Sequence, residues 1–231
     1  MFFVDTLSPV GSVEENSRRL LAFLSLKQRQ FPGSPMTVLA HSAGGIYTLQ
    51  ALNWQPTLPI KTVVTLGTPY QGIEFIDRLA THTPGLETLA QFLNLGSLVE
   101  FRASRTSALF ATLKFPSHVR WIALAGAQSR CFLITCAEAK NLSWVLSIAQ
   151  NLMSGASDGI VTVDSALGTD APLRNELTQP ALIEHWPNFE IPLQHWEMVE
   201  EAELFRLLGV VDPGRIRRLQ ANVYSEILDR L

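Results

Sequence analysis

The chain has 231 residues, enough for one α/β domain with a sizeable core. Hydrophobic residues make up 47% and charged ones 17%, and the net charge of −3 argues against nucleic acid or a strongly anionic membrane surface as a partner. No run approaches the roughly 18 uninterrupted apolar residues of a membrane span, and the start MFFVDTLSPVGS lacks the basic flank and long apolar core of a secretory signal, which leaves the compartment open. Cys131 and Cys136 are too few for a disulfide framework or a four-cysteine zinc site. Lying in an apolar stretch, they read as buried thiols, with a local disulfide as the alternative.

Phe2-Phe3-Val4 reads as a short strand ending at Asp5. Residues 13–30 form a helical pattern with Leu20, Leu21, Phe23 and Leu24 on the inward side. Residues 36–40 are a strand and 43–54 a helix. The β-branched run at 61–66 suits a parallel strand covered on both faces. Residues 73–115 carry three amphipathic helical patterns and no strand. VRWIALA at 119–125 is the next strand, 140–152 a helix, 181–186 the last strand, and 197–208 and 215–229 are helices. This alternation predicts one α/β domain over 1–231, with a mostly parallel sheet of about five or six strands and helices on its faces.

The most informative stretch joins the strand at 36–40 to the helix after it. Ala40-His41-Ser42-Ala43-Gly44 has the small-X-Ser-X-Gly spacing of a nucleophile elbow, in the strand–turn–helix context that gives that motif meaning. The turn is sharp, so the positions two before and two after the serine must be small; they are Ala40 and Gly44. Ser42 is therefore the candidate nucleophile, and the Ala43 N–H at the helix start is the candidate donor to a developing oxyanion. A serine hydroxyl attacks a carbonyl poorly unless a base takes its proton. His41 adjoins Ser42 and reads as a packing residue, and His82 and His118 lie in or beside the helical insertion. His185 and His195 remain, and His195, in a loop after the last predicted strand and before a helix, is preferred. A polar loop carrying Asp158-Gly159 lies between serine and histidine. Ser, Asp, His is the chain order of the α/β-hydrolase triad.

With AHSAGG around Ser42, TVVTLGTPYQG at 62–72, SDGIVTVDSAL at 157–167 and QHWEMV at 194–199, the chain resembles the serine lipases and esterases of the α/β-hydrolase superfamily, in particular the bacterial triacylglycerol-lipase-like branch. The resemblance spans residues from about 4 to 200. It implies that Asp158, in its Ser-Asp-Gly loop, orients the histidine, with Asp164 and Asp170 as possible substitutes. It also implies a small-molecule or lipid ester as substrate and no cofactor. Some lipases of this type carry a structural calcium, but the sequence shows no dense carboxylate cluster to assign to one. The Gly67–Gly72 loop resembles a structural loop on the rim, and 73–115 the position of a helical lid over an acyl pocket. One crossover helix with extra core residues is the alternative reading of that segment.

One piece of the family pattern is missing. The resemblance calls for a strand ending in a His-Gly loop, which donates the second oxyanion N–H, and no His-Gly dipeptide occurs in the chain. Met1 is thus expected to fall inside the fold, or Phe2–Val4 to occupy the vacant slot. With one assignable donor the expected turnover is weak, since losing a donor costs on the order of 100- to 1,000-fold. The turn at 6–11 is the first place to seek a replacement. An acyltransferase on the same triad and a non-catalytic α/β-hydrolase fragment are the competing readings.

Overall fold

A computed structural model describes residues 1–8, 11–74, 76–78, 99–126, 155–158, 160–168, 183, 184, 186 and 213–231. Helix α1 is Val13–Gln30. Its start is fixed by Ser12, whose hydroxyl accepts the Glu15 N–H at 3.1 Å, and by Glu100, whose carboxylate accepts the Val13 N–H at 2.6 Å. Glu14 and Glu15 in the first turn, and Lys27 and Arg29 in the last, suit the helix dipole. Asn16, Leu20 and Leu24 recur every four residues and are buried, while the pairs Arg18–Glu14 and Arg19–Glu15 decorate the outer face. Leu21 and Phe23 are half-buried at the edge of the same core.

Strand β1 (Met36–His41) leads into helix α2 (Gly44–Trp54), and β2 (Ile60–Leu66) returns parallel to β1. After α3 (Ala103–Phe110), β3 (Arg120–Leu124) pairs parallel with β2. Helix α4 (Val163–Leu167), β4 (Ile183–Glu184) and α5 (Pro213–Arg230) follow. Among the described residues the sheet has four strands in the order β1-β2-β3-β4, all parallel. Successive residues of β2 and β3 face opposite ways. Val63, Trp121 and Ala123 join a core with α1, α2 and α3, whereas Val64, Leu66, Ile122 and Leu124 pack on Val223 and Ile227 of α5. The sheet is covered on both faces, which explains why β2 is buried without a break from Val63 to Leu66.

The expected strand at Phe2–Val4 does not form. Residues 1–8 have no regular structure; Phe3 is 81% exposed, and Phe2 rests against the end of α1 with its ring 5.3 Å from that of Phe31. Strand propensity needs a partner ladder to become a strand, and no described strand pairs with this segment. Among the described strands β1 pairs with β2 alone, and its Leu39 is 46% exposed. The helices expected at 140–152 and 197–208, the two cysteines, and 79–98 in the middle of the expected lid lie outside the described residues. The two ends of the 73–115 segment root in the core: Ile73, Ile76, Phe101, Phe110 and Leu113 are buried there.

At the centre of that core the Tyr70 hydroxyl accepts the indole N–H of Trp121 and shares a 2.9 Å hydrogen bond with the Thr65 hydroxyl. Burial raises the Tyr70 phenol far above its ordinary value, so it stays neutral, while its bonds to Thr65 and Trp121 partly offset the shift. Phe110 and Phe115 pack around it. Tyr70→Phe leaves the Trp121 N–H without this acceptor in a dry site. The expected loss is about 1–3 kcal/mol in urea unfolding; an unchanged midpoint and slope would show that water reaches the indole.

Candidate active site

Ser42 lies between the last residue of β1 and the start of α2, at the carboxyl ends of the parallel strands, where ligands of α/β sheets bind. Its φ of +52° is left-handed, and among the described residues it is the one non-glycine with positive φ. Such a backbone costs about 1–3 kcal/mol and persists only where its surroundings over-determine it. The surroundings come from the tail of β2. The register pairs His41 with Leu66, and the ladder runs on by one more bond, Ser42 N–H to the Leu66 carbonyl at 2.9 Å. On the other side of the residue, the Thr68 hydroxyl donates to the Ser42 carbonyl at 2.7 Å, and the Gly45 N–H reaches the same oxygen at 3.2 Å.

The two glycines that follow Ser42 divide their work differently from the motif. A Cβ on Gly44 would meet the Ala40 Cβ at 3.7 Å, an ordinary contact. A Cβ on Gly45 would sit 2.4 Å from the Thr68 hydroxyl and 2.9 Å from the Thr65 methyl. Gly45 is thus the residue that lets α2 lie close on the tail of β2, and the motif spacing passes over it. Helix α2 begins with no side-chain cap. Its first N–H groups and dipole face the region of Ser42, an environment suited to negative charge.

Asp158 is fully buried in a tight turn. Val163 N–H bonds the Ala156 carbonyl, and Ser157 bridges Thr162, so Ala156–Ser157 and Thr162–Val163 lie side by side. At the tip, Asp158 Oδ1 accepts the N–H groups of Ile160 and Val161 at 3.0 and 2.8 Å. These bonds fix the orientation of the carboxylate. Thr162 then caps α4 by accepting the Ser165 N–H. Ser165 in turn ties this loop to the rim. Its hydroxyl donates to the Gly72 carbonyl at 2.8 Å and accepts the Gln71 N–H at 3.1 Å, and its carbonyl accepts the Tyr70 N–H.

The Gly67–Gly72 loop is therefore bonded on both sides of the site: Thr68 holds the Ser42 turn, and Tyr70, Gln71 and Gly72 bond Ser165 of α4, the helix that follows the Asp158 turn. Gly72, at φ +85°, is pressed to within 2.6 Å (measured from a notional Cβ) of the Ala103 nitrogen at the start of α3. Sequence reading placed this loop on the rim but missed Thr68 and Ser165. The only signals were a hydroxyl residue just past β2 and a Thr-x-x-Ser cap at 162–165. His195, His185 and Asp170 lie outside the described residues. Asp164 sits in the first turn of α4, and His118 is exposed before β3, at the opposite end of the sheet from Ser42. Among the described residues no three His, Cys, Asp or Glu side chains gather into a group able to hold a metal ion, and no helix is long and apolar enough to cross a membrane.

No family model and no curated protein matches the chain. Solved structures do. The mature form of Bacillus licheniformis lipase BlEst2 superposes with a TM-score of 0.61 at 19% identity, over 89% of this chain and 77% of that one. The metagenomic carboxyl esterase MGS0156 gives 0.66 at 17% identity, over 99% of this chain and 65% of that one. Staphylococcus hyicus lipase gives 0.57 at 10% identity, over 95% and 82%. This chain has the α/β-hydrolase fold of bacterial lipases and esterases. It spans just under two thirds of MGS0156 and 42% of the propeptide form of BlEst2.

The contrast between Gly44 and Gly45 is open to measurement. Gly45→Ala is expected to cost about 1–3 kcal/mol through overpacking against Thr68 and Thr65. Gly44→Ala is expected to be neutral or stabilising by up to about 1 kcal/mol from helix propensity. Thermal unfolding of the two variants checks this, and equal losses would mean that Gly44, not Gly45, carries the close approach.

Proposed function

We propose that the chain is a serine carboxylic-ester hydrolase acting on apolar acyl esters through an acyl-enzyme. The observation that carries this reading is Ser42 itself, held at φ +52° between a parallel strand and an uncapped helix start. A structural serine has no need of a strained backbone, whereas a nucleophile gains by being lifted clear of its neighbours beside N–H groups. The solved structures that share its fold, two lipases and a carboxyl esterase, support this reading.

In this reading Ser42 Oγ attacks the ester carbonyl while His195 takes its proton. The tetrahedral oxyanion is steadied by the Ala43 N–H. His195 then protonates the departing alcohol, and water, activated by the same histidine, cleaves the acyl-Ser42 ester. Asp158 holds the imidazole in the tautomer the reaction needs; its buried, pinned carboxylate suits that role. A second oxyanion donor would come from the 6–11 loop. Buried Asn16 ties this loop to the elbow helix, bonding Ser8 through its N–H and carbonyl, the Gly11 carbonyl and the Tyr47 hydroxyl. The segment 73–115 is proposed as the lid over the acyl site, anchored at Gly72 and at Asp77, whose carboxylate accepts the Ala103 N–H at the start of α3.

Ser42→Ala should abolish hydrolysis of a short p-nitrophenyl ester, and His195→Ala should lower kcat by at least roughly a thousandfold, while His185→Ala leaves it near the parent rate. Turnover that survives Ser42→Ala would contradict the reading. Loss in His185→Ala but not in His195→Ala would move the base and leave the mechanism standing.

A further inference from the structure

Both peptide units that flank Ser42 are held by the same strand tail. Its φ is set by the unit that carries the Ser42 N–H, which bonds the Leu66 carbonyl at 2.9 Å. Its ψ is set by the unit that carries the Ser42 carbonyl, which accepts the Thr68 hydroxyl at 2.7 Å. A trans peptide is planar, so the Ser42 carbonyl and the Ala43 N–H point in opposite directions in one rigid unit. Fixing the carbonyl therefore fixes the N–H. Thr68 is fully buried, and its position is itself confined by Gly45, where any side chain would collide with it.

We propose that Thr68 is a positioning residue, its hydroxyl holding the Ser42 carbonyl so that the Ala43 N–H is aimed at the oxyanion before substrate arrives. This rests on the ester-hydrolase reading for its consequence in catalysis, though the orientation of the peptide unit does not. Ser42 needs a left-handed backbone to stand at the tip of the turn, and that backbone is the one a non-glycine residue escapes from most readily. The route of escape is rotation of the 42–43 peptide unit, which would turn the Ala43 N–H away. The Gly45 N–H, at 3.2 Å, is the weaker of the two bonds to the Ser42 carbonyl and comes from the same helix turn. Thr68 supplies the restraint from outside the turn, from the loop that directly follows β2, and so fixes the unit relative to the sheet. Thr68 also polarises the peptide by donating to its carbonyl, which makes the Ala43 N–H a better donor.

The variants are Thr68→Val, which keeps the shape and removes the hydroxyl, and Thr68→Ser, which keeps the hydroxyl and removes the methyl. Three readouts are taken on the 231-residue chain: kcat and KM on a short p-nitrophenyl ester, thermal midpoint, and the ¹⁵N resonance of Ala43. Thr68→Val should lower kcat roughly ten- to a hundredfold, short of the 100- to 1,000-fold for removing a donor outright, with KM within about twofold and a displaced Ala43 resonance. Thr68→Ser should keep the parent kcat and resonance, even where its midpoint falls. A Thr68→Val chain with the parent kcat and Ala43 resonance would overturn the proposal, as would a Thr68→Ser chain that loses kcat with its hydroxyl in place. Should Thr68→Val fail to fold, Thr68→Ser alone decides between hydroxyl and packing. If the parent chain shows no Ser42-dependent turnover, the hydrolase reading falls, and the Ala43 resonance in the two variants still tests whether Thr68 orients the peptide.

Discussion

A serine held in left-handed backbone is the constraint on which the rest of this site depends. At φ +52° Ser42 stores roughly 1–3 kcal/mol of strain, and something must keep it there. The restraint is a strand neighbour one ladder step longer than the sheet proper, with Leu66 on the amide side and Thr68 on the carbonyl side. For that tail to come so close, α2 must start without a side chain at position 45. For the tail to stay in place, it must be fastened further along, and the fastening is Ser165 in α4, the short helix that follows the Asp158 turn. The two candidate catalytic residues are therefore mechanically joined through one six-residue loop, 67–72, although they are far apart in sequence.

The aromatic core beneath this loop gives it something rigid to stand on. Tyr70 belongs to the loop, yet its ring is buried among Phe110, Phe115 and Trp121, and its hydroxyl closes a hydrogen-bonded group with Thr65 of β2 and Trp121 of β3. Buried polar groups of this kind contribute little net energy but are costly to leave half-satisfied, so they favour one arrangement over its near alternatives. Gly72 and Asp77 extend the same logic to α3, where the loop passes into the 73–115 segment.

Much of the frame was legible in the sequence because it is local. The β-branched run of β2, the apolar run of β3 and the amphipathic period of α1 each announce their elements, and the small residues around Ser42 announce the turn. What stayed hidden depends on contacts between distant segments. Phe2-Phe3-Val4 has strand-type residues, but a strand is made by its partner, and none of the described strands takes that place. The spacing rule pointed to Gly44, whereas the collision that forbids a side chain involves Gly45 and a threonine more than twenty residues away. Thr68 and Ser165 looked like ordinary loop hydroxyls because hydrogen bonds across the sheet leave no periodic trace in sequence. Asp158 was recognisable from its Ser-Asp-Gly turn, but its burial and its two backbone donors were not.

The central claim is that this strained serine is the nucleophile of an ester hydrolase. Peptide mapping after reaction with a fluorophosphonate tests it most directly, since the reagent marks an activated serine whether or not the natural ester is known. The expected result is a single stoichiometric adduct on the peptide containing Ser42, prevented by prior denaturation. An adduct on a different residue, or none at all on folded protein, would contradict the account.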